Sequence, residues 1–410
     1  MTYLYRTIEP ILKKSIQEFP VVALMGPRQV GKSTVLKHCF AEGYEYLTFD
    51  DFSLRSLAKS DPALFIRNHP GRLILDEIQY VPELLPEIKM AVDSGAKPGR
   101  FILTGSQQYN LIRGMKETLA GRVLLLDLPP MTLDERLGRG VTEHWAVSLV
   151  RGASPTELCG AFAPDMSPLE LVFRGGLPGL IGKSHEFIPA FFESYLATYL
   201  ERDLPSQYDL KDAAALSRFM RLLAALSSRE VNKSQLGREI GISPPTADRW
   251  LSWLRASLVW REHESYHGNY IKRISRHSKG FLFDTGLACG LLHIATAQAL
   301  ESHPMLGSLF EAAMRIEVEA AIRNSLLPAR CHHWKTPYGH EIDIVIEYEN
   351  RLFALECKWG SHVDGRDAGS LRFFKKQYGD SVAVMGVLTP FGRFGLIDRD
   401  IMQIPWLARA

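Results

Sequence analysis

VVALMGPRQVGKST, residues 21–34, joins an apolar run that opens on two valines to a loop of small and polar residues, and the TVLKHCF that follows has helical character. Strand, loop and helix in that order are the repeating unit of a parallel α/β sheet. The loop satisfies G-x-x-x-x-G-K-[ST] with Gly26, Gly31, Lys32 and Ser33, and each residue type has a task. Across Gly26, Pro27, Arg28, Gln29, Val30, Gly31, Lys32, Ser33 and Thr34 the backbone N–H groups would converge on the phosphates of ATP, helped by the partial positive charge of the helix start. Lys32 would neutralise the β and γ phosphates, and the Ser33 hydroxyl would ligate Mg2+.

Two further apolar strands end in chemistry. RLILDEIQ places Asp76 and Glu77 at a strand end: Asp76 would hold the magnesium, and Glu77 would activate the attacking water as a general base. An acidic strand end that merely caps the next helix is the plainer alternative. RFILTGSQQ ends in small polar residues, and in a parallel sheet it would lie beside the strand of Asp76, bringing Thr104 or Ser106 to the γ-phosphate or the water, unless these residues only serve the turn at the strand end. YLTFDD, residues 46–51, is one more strand between the loop and Asp76, so the carboxylates do not sit on the strand that follows the phosphate-loop helix.

A chain of 410 residues with 46% hydrophobic and 23% charged residues predicts several folded domains, and no run approaches the ~18 apolar residues of a membrane span. The first residues read as a short amphipathic helix without a secretory cleavage pattern, which predicts a cytoplasmic protein with no membrane partner. Five cysteines without CxxC spacing predict reduced thiols, mostly buried, and neither a disulfide framework nor structural zinc. A net charge of +2 leaves any nucleic-acid partner to local clusters.

GPRQVGKST, LILDEIQ, FILTGSQ and ETLAGRVLLLDLPPMTLDE, in that order within residues 20–136, together resemble the prokaryotic AAA-plus ATPases of the MNS-like or archaeal-ATPase type. The resemblance implies an ATP hydrolase with ATP and Mg2+ as cofactors, a sensor at Thr104 or Ser106, and an arginine finger or sensor at Arg122. A finger requires a neighbouring subunit, as in a homo-oligomer, or a neighbouring domain; a salt-bridged Arg122 before a strand is the competing reading.

After Pro129 and Pro130 the chain turns helical. LVFRGGLPGLI and YLATYLERDL are similar to segments that follow the core in the resembled family, with no required chemistry; Arg174, Arg202 and Asp203 would sense nucleotide from a lid or, more simply, pair to anchor helices. VNKSQLGREIGISPPTADRWLSWLRASLVW has the shape of a helix-turn-helix, with Ser234 capping the first helix, Gly241 breaking it, and Ser243 with Pro244 opening the second. Thr246, Asp248, Arg249 and Ser252 would face a DNA major groove, and Lys272, Arg273, Arg276 and Lys279 of YIKRISRHSKGFLF would meet phosphates from a wing. Packing against protein is the alternative use of such a unit. In the resembled family this region is a winged helix, and FLFDTGLACGLL is similar to a segment just before the last domain.

The last third pairs a helix carrying Glu311 with strands carrying Asp343, in HEIDIVI, and Glu356 and Lys358, in LECKWG. Acids on neighbouring strands would hold Mg2+, and Lys358, on the same strand face as Glu356, would orient water or stabilise developing charge. Order and spacing look like the PD-(D/E)XK restriction-endonuclease fold, which implies Glu311, Asp343 and Glu356 as metal ligands and Glu356 and Lys358 as catalytic residues. Glu341 shares the strand face of Asp343 and would assist the metal or face solvent; adjacent His332 and His333 point to opposite faces and make no metal pair.

The expected architecture is α/β throughout: an AAA-plus P-loop core at 1–135, a helical lid or linker at 136–215, a winged helix at 216–295 and a nuclease-like α/β domain at 296–410. The expected function is ATP binding and hydrolysis coupled to DNA engagement, with metal-dependent cleavage as a further activity. The alternative is a nucleotide-switched regulator or scaffold that binds protein through a catalytically silent nuclease-like fold.

Overall fold

The structure, a computed structural model, describes residues 3–106, 114–115, 117–138, 143–153, 160–161, 167–199, 212–269, 273, 278–360, 363, 368–406 and 408–409. The chain divides into two compact units, the first comprising Met1–Met131, Leu177–Gly179 and Leu251–Val259, the second the remainder.

In the first unit a helix, Glu9–Glu18, precedes five parallel strands: β1 (Val21–Gly26), β2 (Glu45–Thr48), β3 (Leu73–Asp76), β4 (Phe101–Ser106) and β5 (Val123–Asp127). Their spatial order is β2-β3-β4-β1-β5. Every residue of β1 and β3 is buried, as expected of strands covered on both faces, where continuous apolar runs replace alternation. Val21, Met25, Phe49, Leu75 and Phe101 belong to one apolar core. The sheet matches the expected P-loop fold, with β4 beside the strand of Asp76 as the sequence predicts. The strand standing between β1 and β3 in space is β4; β2, which intervenes in sequence, lies outside β3 at the sheet edge.

The second unit contains β6 (Gly160–Ala161), β7 (Arg229–Glu230), β8 (Trp260–His263), β9 (Lys279–Leu282), β10 (Arg330–Lys335), β11 (Glu341–Tyr348), β12 (Arg351–Cys357), β13 (Val382–Thr389), β14 (Gly395–Asp398), β15 (Ile401–Pro405) and β16 (Ala408–Arg409). Strands β7, β9 and β8 form a small antiparallel sheet next in sequence to the helices Ala213–Ala225, Lys233–Ile240 and Pro244–Ala256. The turn between the last two helices behaves as read: Gly241 takes φ +78, and Ser243 Oγ accepts from the Thr246 N–H at 3.3 Å. The cap of the first does not. Asn232 Oδ1 accepts from the Gln235 N–H at 3.2 Å, so the helix starts before Ser234, because an Asn two residues upstream offers an equally good acceptor.

The C-terminal sheet runs β10-β11-β12-β13-β15-β14. β11 and β12 form a hairpin whose turn residues Glu349 and Asn350 take φ +47 and +63, the doubly left-handed turn that follows strand twist. The helix Gly369–Tyr378 carries the chain from β12 to the parallel β13, and Trp334, Val345, Ala354 and Phe374 fill the layer between helix and sheet. With the long helix Leu306–Asn324 before β10, this is the helix, three strands, helix, strand order expected from the sequence.

Candidate functional site: a phosphate loop and a paired carboxylate

At the carboxyl end of the first sheet, Gly31 takes φ +95 and starts the helix Lys32–Cys39. Gly26 is held to glycine by space rather than conformation, since a Cβ there would lie 2.5 Å from the Leu128 carbonyl oxygen. Lys32, 6% exposed, donates from Nζ to the Gly26 and Pro27 carbonyls at 3.0 Å each. Burial pushes its pKa down to about 8 although Glu77 and Asp76 pull the other way. Ser33 Oγ donates to Asp76 Oδ2 at 2.9 Å, so the loop and the end of β3 meet as the sequence predicts.

Asp76 is buried, and its Oδ1 has no hydrogen-bond partner among the described residues. A hydroxyl and a carboxylate with an unsatisfied oxygen make an all-oxygen donor set, which fits a hard divalent cation such as Mg2+. Glu77, next in sequence, sits in the left-handed region at φ +57 and ψ +43, and Gln79 donates to its Oε2. Thr104 is fully buried on the strand between those of the loop and of Asp76, and its Oγ1 also lacks a partner among the described residues. The side chain of Ser106 lies outside the described residues. Arg122 Nε donates to Asp93 Oδ1 at 2.5 Å and Nη1 to the Ala120 carbonyl at 3.1 Å, the salt-bridged arrangement that competes with a finger role.

Two participants escape sequence reading. Tyr46 on β2 donates its hydroxyl to the same Asp76 Oδ2 that Ser33 reaches. Arg6, 2% exposed, donates from Nη1 to the Val30 carbonyl in the loop and from Nη2 to the Pro129 carbonyl, both at 2.7 Å. The clue to Tyr46 is its place on the strand beside β3; Arg6 belongs to no motif, and only the fold brings it under the loop.

The second unit holds the acids of the C-terminal third together. Glu311, Glu341 and Asp343 surround one ammonium, that of Lys279, at 3.1 Å from Glu311 Oε1 and 3.2 Å from Asp343 Oδ1, with Glu341 closing the third side. Arg315, wholly buried, donates to Glu311 Oε1 from Nε at 3.0 Å and Nη2 at 2.8 Å. Asp343 Oδ2 accepts the Cys357 N–H at 2.9 Å, and Lys358 pairs with Glu356 at 3.2 Å. Burial would raise Asp343, but Lys279 and Arg315 outweigh it and hold it below the usual carboxylate range. Burial and the neighbouring Asp343 push Glu356 up to about 9.

These contacts correct the expected wing. Lys279 is 2% exposed and paired with acids, and Arg273 is 8% exposed in a bidentate pair with Glu347 at 2.6 and 2.9 Å; neither is presented to a phosphate backbone. Buried basic groups persist only where acids neutralise them, and here the acids come from the C-terminal sheet and helix. Lys272, Arg276, Arg202 and Asp203 lie outside the described residues. Arg174 pairs with Glu170 at 3.1 Å and caps the Leu180 and Lys183 carbonyls, which makes it a helix anchor. The described cysteines are free thiols, and His332 and His333 are both buried on β10.

Residues 18–137 match the family described as AAA domain, residues 168–298 a domain of unknown function (DUF8612), and residues 306–406 another (DUF4143). The uncharacterized proteins Rv2008c of Mycobacterium tuberculosis and Mb2031c of Mycobacterium bovis are each 31% identical over 349 residues, 85% of this chain and 72% of theirs. Among solved structures, the Walker-type ATPase PABY2304 of Pyrococcus abyssi aligns at 17% identity and TM-score 0.42 over 69% of this chain and 94% of that one. Among the described residues no helix is long and apolar enough to cross a membrane.

Proposed function

We propose that this chain, which belongs to one family with the mycobacterial proteins Rv2008c and Mb2031c and carries an AAA-type ATPase domain, binds Mg2+-ATP at the loop Gly26–Thr34 and hydrolyses it. One observation carries the reading: the Ser33 hydroxyl and Asp76, distant in sequence, meet at 2.9 Å beside the buried Lys32 ammonium. Magnesium bound by Ser33 and Asp76 would offset charge on the β and γ phosphates. Lys32 would exchange its two carbonyl partners for phosphate oxygens, Glu77 would take the proton of the attacking water, and Thr104 would hold that water or a γ-phosphate oxygen. Tyr46 would keep Asp76 aimed at the metal.

The test is phosphate release together with fluorescent-nucleotide binding. Glu77→Gln should bind ATP with wild-type affinity and lose roughly 10²–10⁴-fold in turnover, the usual worth of a positioned base. Lys32→Ala should lose binding itself. Turnover unchanged in Glu77→Gln would remove that residue from the chemistry.

Coupled to this engine we propose DNA engagement by the helix-turn-helix. Its second helix, Pro244–Ala256, opens on exposed Pro244 and Pro245 and carries Arg249 on an exposed position. Filter binding across a salt series decides: log affinity falling linearly with log salt supports phosphate contact. A flat, weak response favours the nucleotide-switched binder of a protein partner. DNA cleavage is not expected, because the Lys279 ammonium stands among the acids that would have to hold its metal.

A further inference from the structure

A divalent ion in a restriction-endonuclease-like site needs its carboxylate oxygens to converge on one point at about 2.0–2.6 Å. Here that point is filled by protein. The Lys279 ammonium stands 3.1 Å from Glu311 Oε1 and 3.2 Å from Asp343 Oδ1, pairs with Glu341, and is 2% exposed. Other donors reach the same acids: Glu311 Oε1 also takes two Arg315 donors, Asp343 Oδ2 takes the Cys357 N–H, and Glu356 Oε1 faces Lys358, while Glu356 Oε2 is buried without a partner among the described residues. Among the described residues no three His, Cys, Asp or Glu side chains are arranged to hold a metal ion.

We infer that the resident cation of this acid cluster is Lys279, and that the C-terminal domain holds no metal there and serves as the socket for strand β9 of the small sheet. The geometry gives this socket a clear division of labour. Lys279 arrives from β9, Glu311 and Arg315 from one face of the helix Leu306–Asn324, and Glu341 and Asp343 from β11, so one ammonium ties three elements together. Arg315 adds a fourth by pairing through Nη1 with His263 Nδ1 of β8 at 2.8 Å. The charge balance is local: the cations Lys279, Arg315 and Lys358 stand against Glu311, Glu341, Asp343 and Glu356. A divalent ion would have to displace the buried ammonium from the three acids that neutralise it, and parting a buried charge from its partners is the cost that excludes it.

The experiment uses the full chain without nucleotide. Mn2+ is titrated by electron paramagnetic resonance into wild type, Asp343→Asn, Lys279→Met and Lys279→Met/Asp343→Asn; methionine keeps the bulk of the lysine stem without its charge. The inference expects no Mn2+ bound by wild type that Asp343→Asn removes, and one added site in Lys279→Met that the double variant loses. Independently of whether Lys279→Met folds, amine labelling of wild type read by mass spectrometry should leave Lys279 at least tenfold less modified than exposed lysines, with and without millimolar Mn2+. An Asp343-dependent Mn2+ site in wild type, or Lys279 labelling that rises with Mn2+, would overturn it. So would a folded Lys279→Met that gains no site, or Mg2+-dependent plasmid nicking abolished by Glu356→Ala/Lys358→Ala.

Discussion

Glu77 shows what a single residue contributes when its backbone and side chain disagree. A glutamate at φ +57 costs of order 1 kcal/mol, and such outliers collect where function needs an awkward direction. Glu77→Asn, which tolerates the left-handed region, should therefore raise the melting temperature by a few degrees while abolishing turnover; Glu77→Gln, equally inactive, should melt with wild type. Differential scanning calorimetry beside the phosphate-release assay separates them, and an Asn variant that melts lower would show that the Gln79 contact outweighs the strain. Tyr46→Phe tests the neighbouring support. It removes one of two hydroxyls on Asp76 Oδ2, and the expected outcome is a several-fold higher Mg2+ requirement for turnover, on the order of 1–2 kcal/mol for a hydrogen bond to a charged acceptor. The loop residues proposed to meet phosphate were legible because that chemistry fixes their spacing in sequence. Arg6 and Tyr46 were not, because carbonyls and carboxylates accept from any donor the fold delivers.

At the scale of elements, GGLPGL and FLFDTGLACGLL, which carried no assignable chemistry, turn out to be partners. Asp284, two residues after β9, caps the helix Thr285–Leu291 through the Leu287 N–H at 2.9 Å, and the same carboxylate accepts the Gly176 N–H at 2.7 Å. Gly175, at φ +69, leaves no room for a side chain: a Cβ would lie 2.3 Å from Asp284 Oδ1. Gly286 and Gly290 are small for a related reason, since a Cβ on either would run into Phe192 of the helix Phe187–Thr198. The prediction is structural. Asp284→Ala strands two buried N–H donors and should destabilise the protein by about 2–4 kcal/mol in urea denaturation, with Asp284→Asn recovering part of it. Sequence reading found each segment and could not pair them, because the pairing is long-range and a glycine says only that something comes close. Two residues of the expected wing were misread for the same reason: Arg273 and Lys279 look like phosphate contacts until the fold supplies Glu347 to the first and three acids to the second.

For the molecule as a whole, the response to pH is set by groups that change charge only by unfolding. His263, 4% exposed, lies edge-on to Phe281, with Arg315 on Nδ1 and Glu319 and His332 nearby, and burial holds it at about 4. Its ordinary value is near 6.5, so between those limits the unfolded chain binds the extra proton. The contribution is complete above pH 6.5, is lost as pH falls through 4, and amounts to roughly 3 kcal/mol. His332 and His333 are depressed by burial too and add to the same limb. Glu317 works from the other side. Burial raises it to about 8 although Arg136 and the Leu133 N–H favour the carboxylate, so here the folded state holds the extra proton and stability falls as pH rises from about 4.5 to 8. Glu317→Gln keeps an oxygen for the Leu133 N–H and cannot ionise. Melting temperature measured from pH 4 to 9 should therefore show wild type losing stability at both ends, Glu317→Gln gaining on it progressively above pH 5, and His263→Asn losing less than wild type below pH 6.5. If the Arg136 guanidinium instead keeps Glu317 ionised throughout, the Gln variant would leave a charged, buried arginine without its acid and melt below wild type at pH 8, which would reverse the sign assigned to that pair.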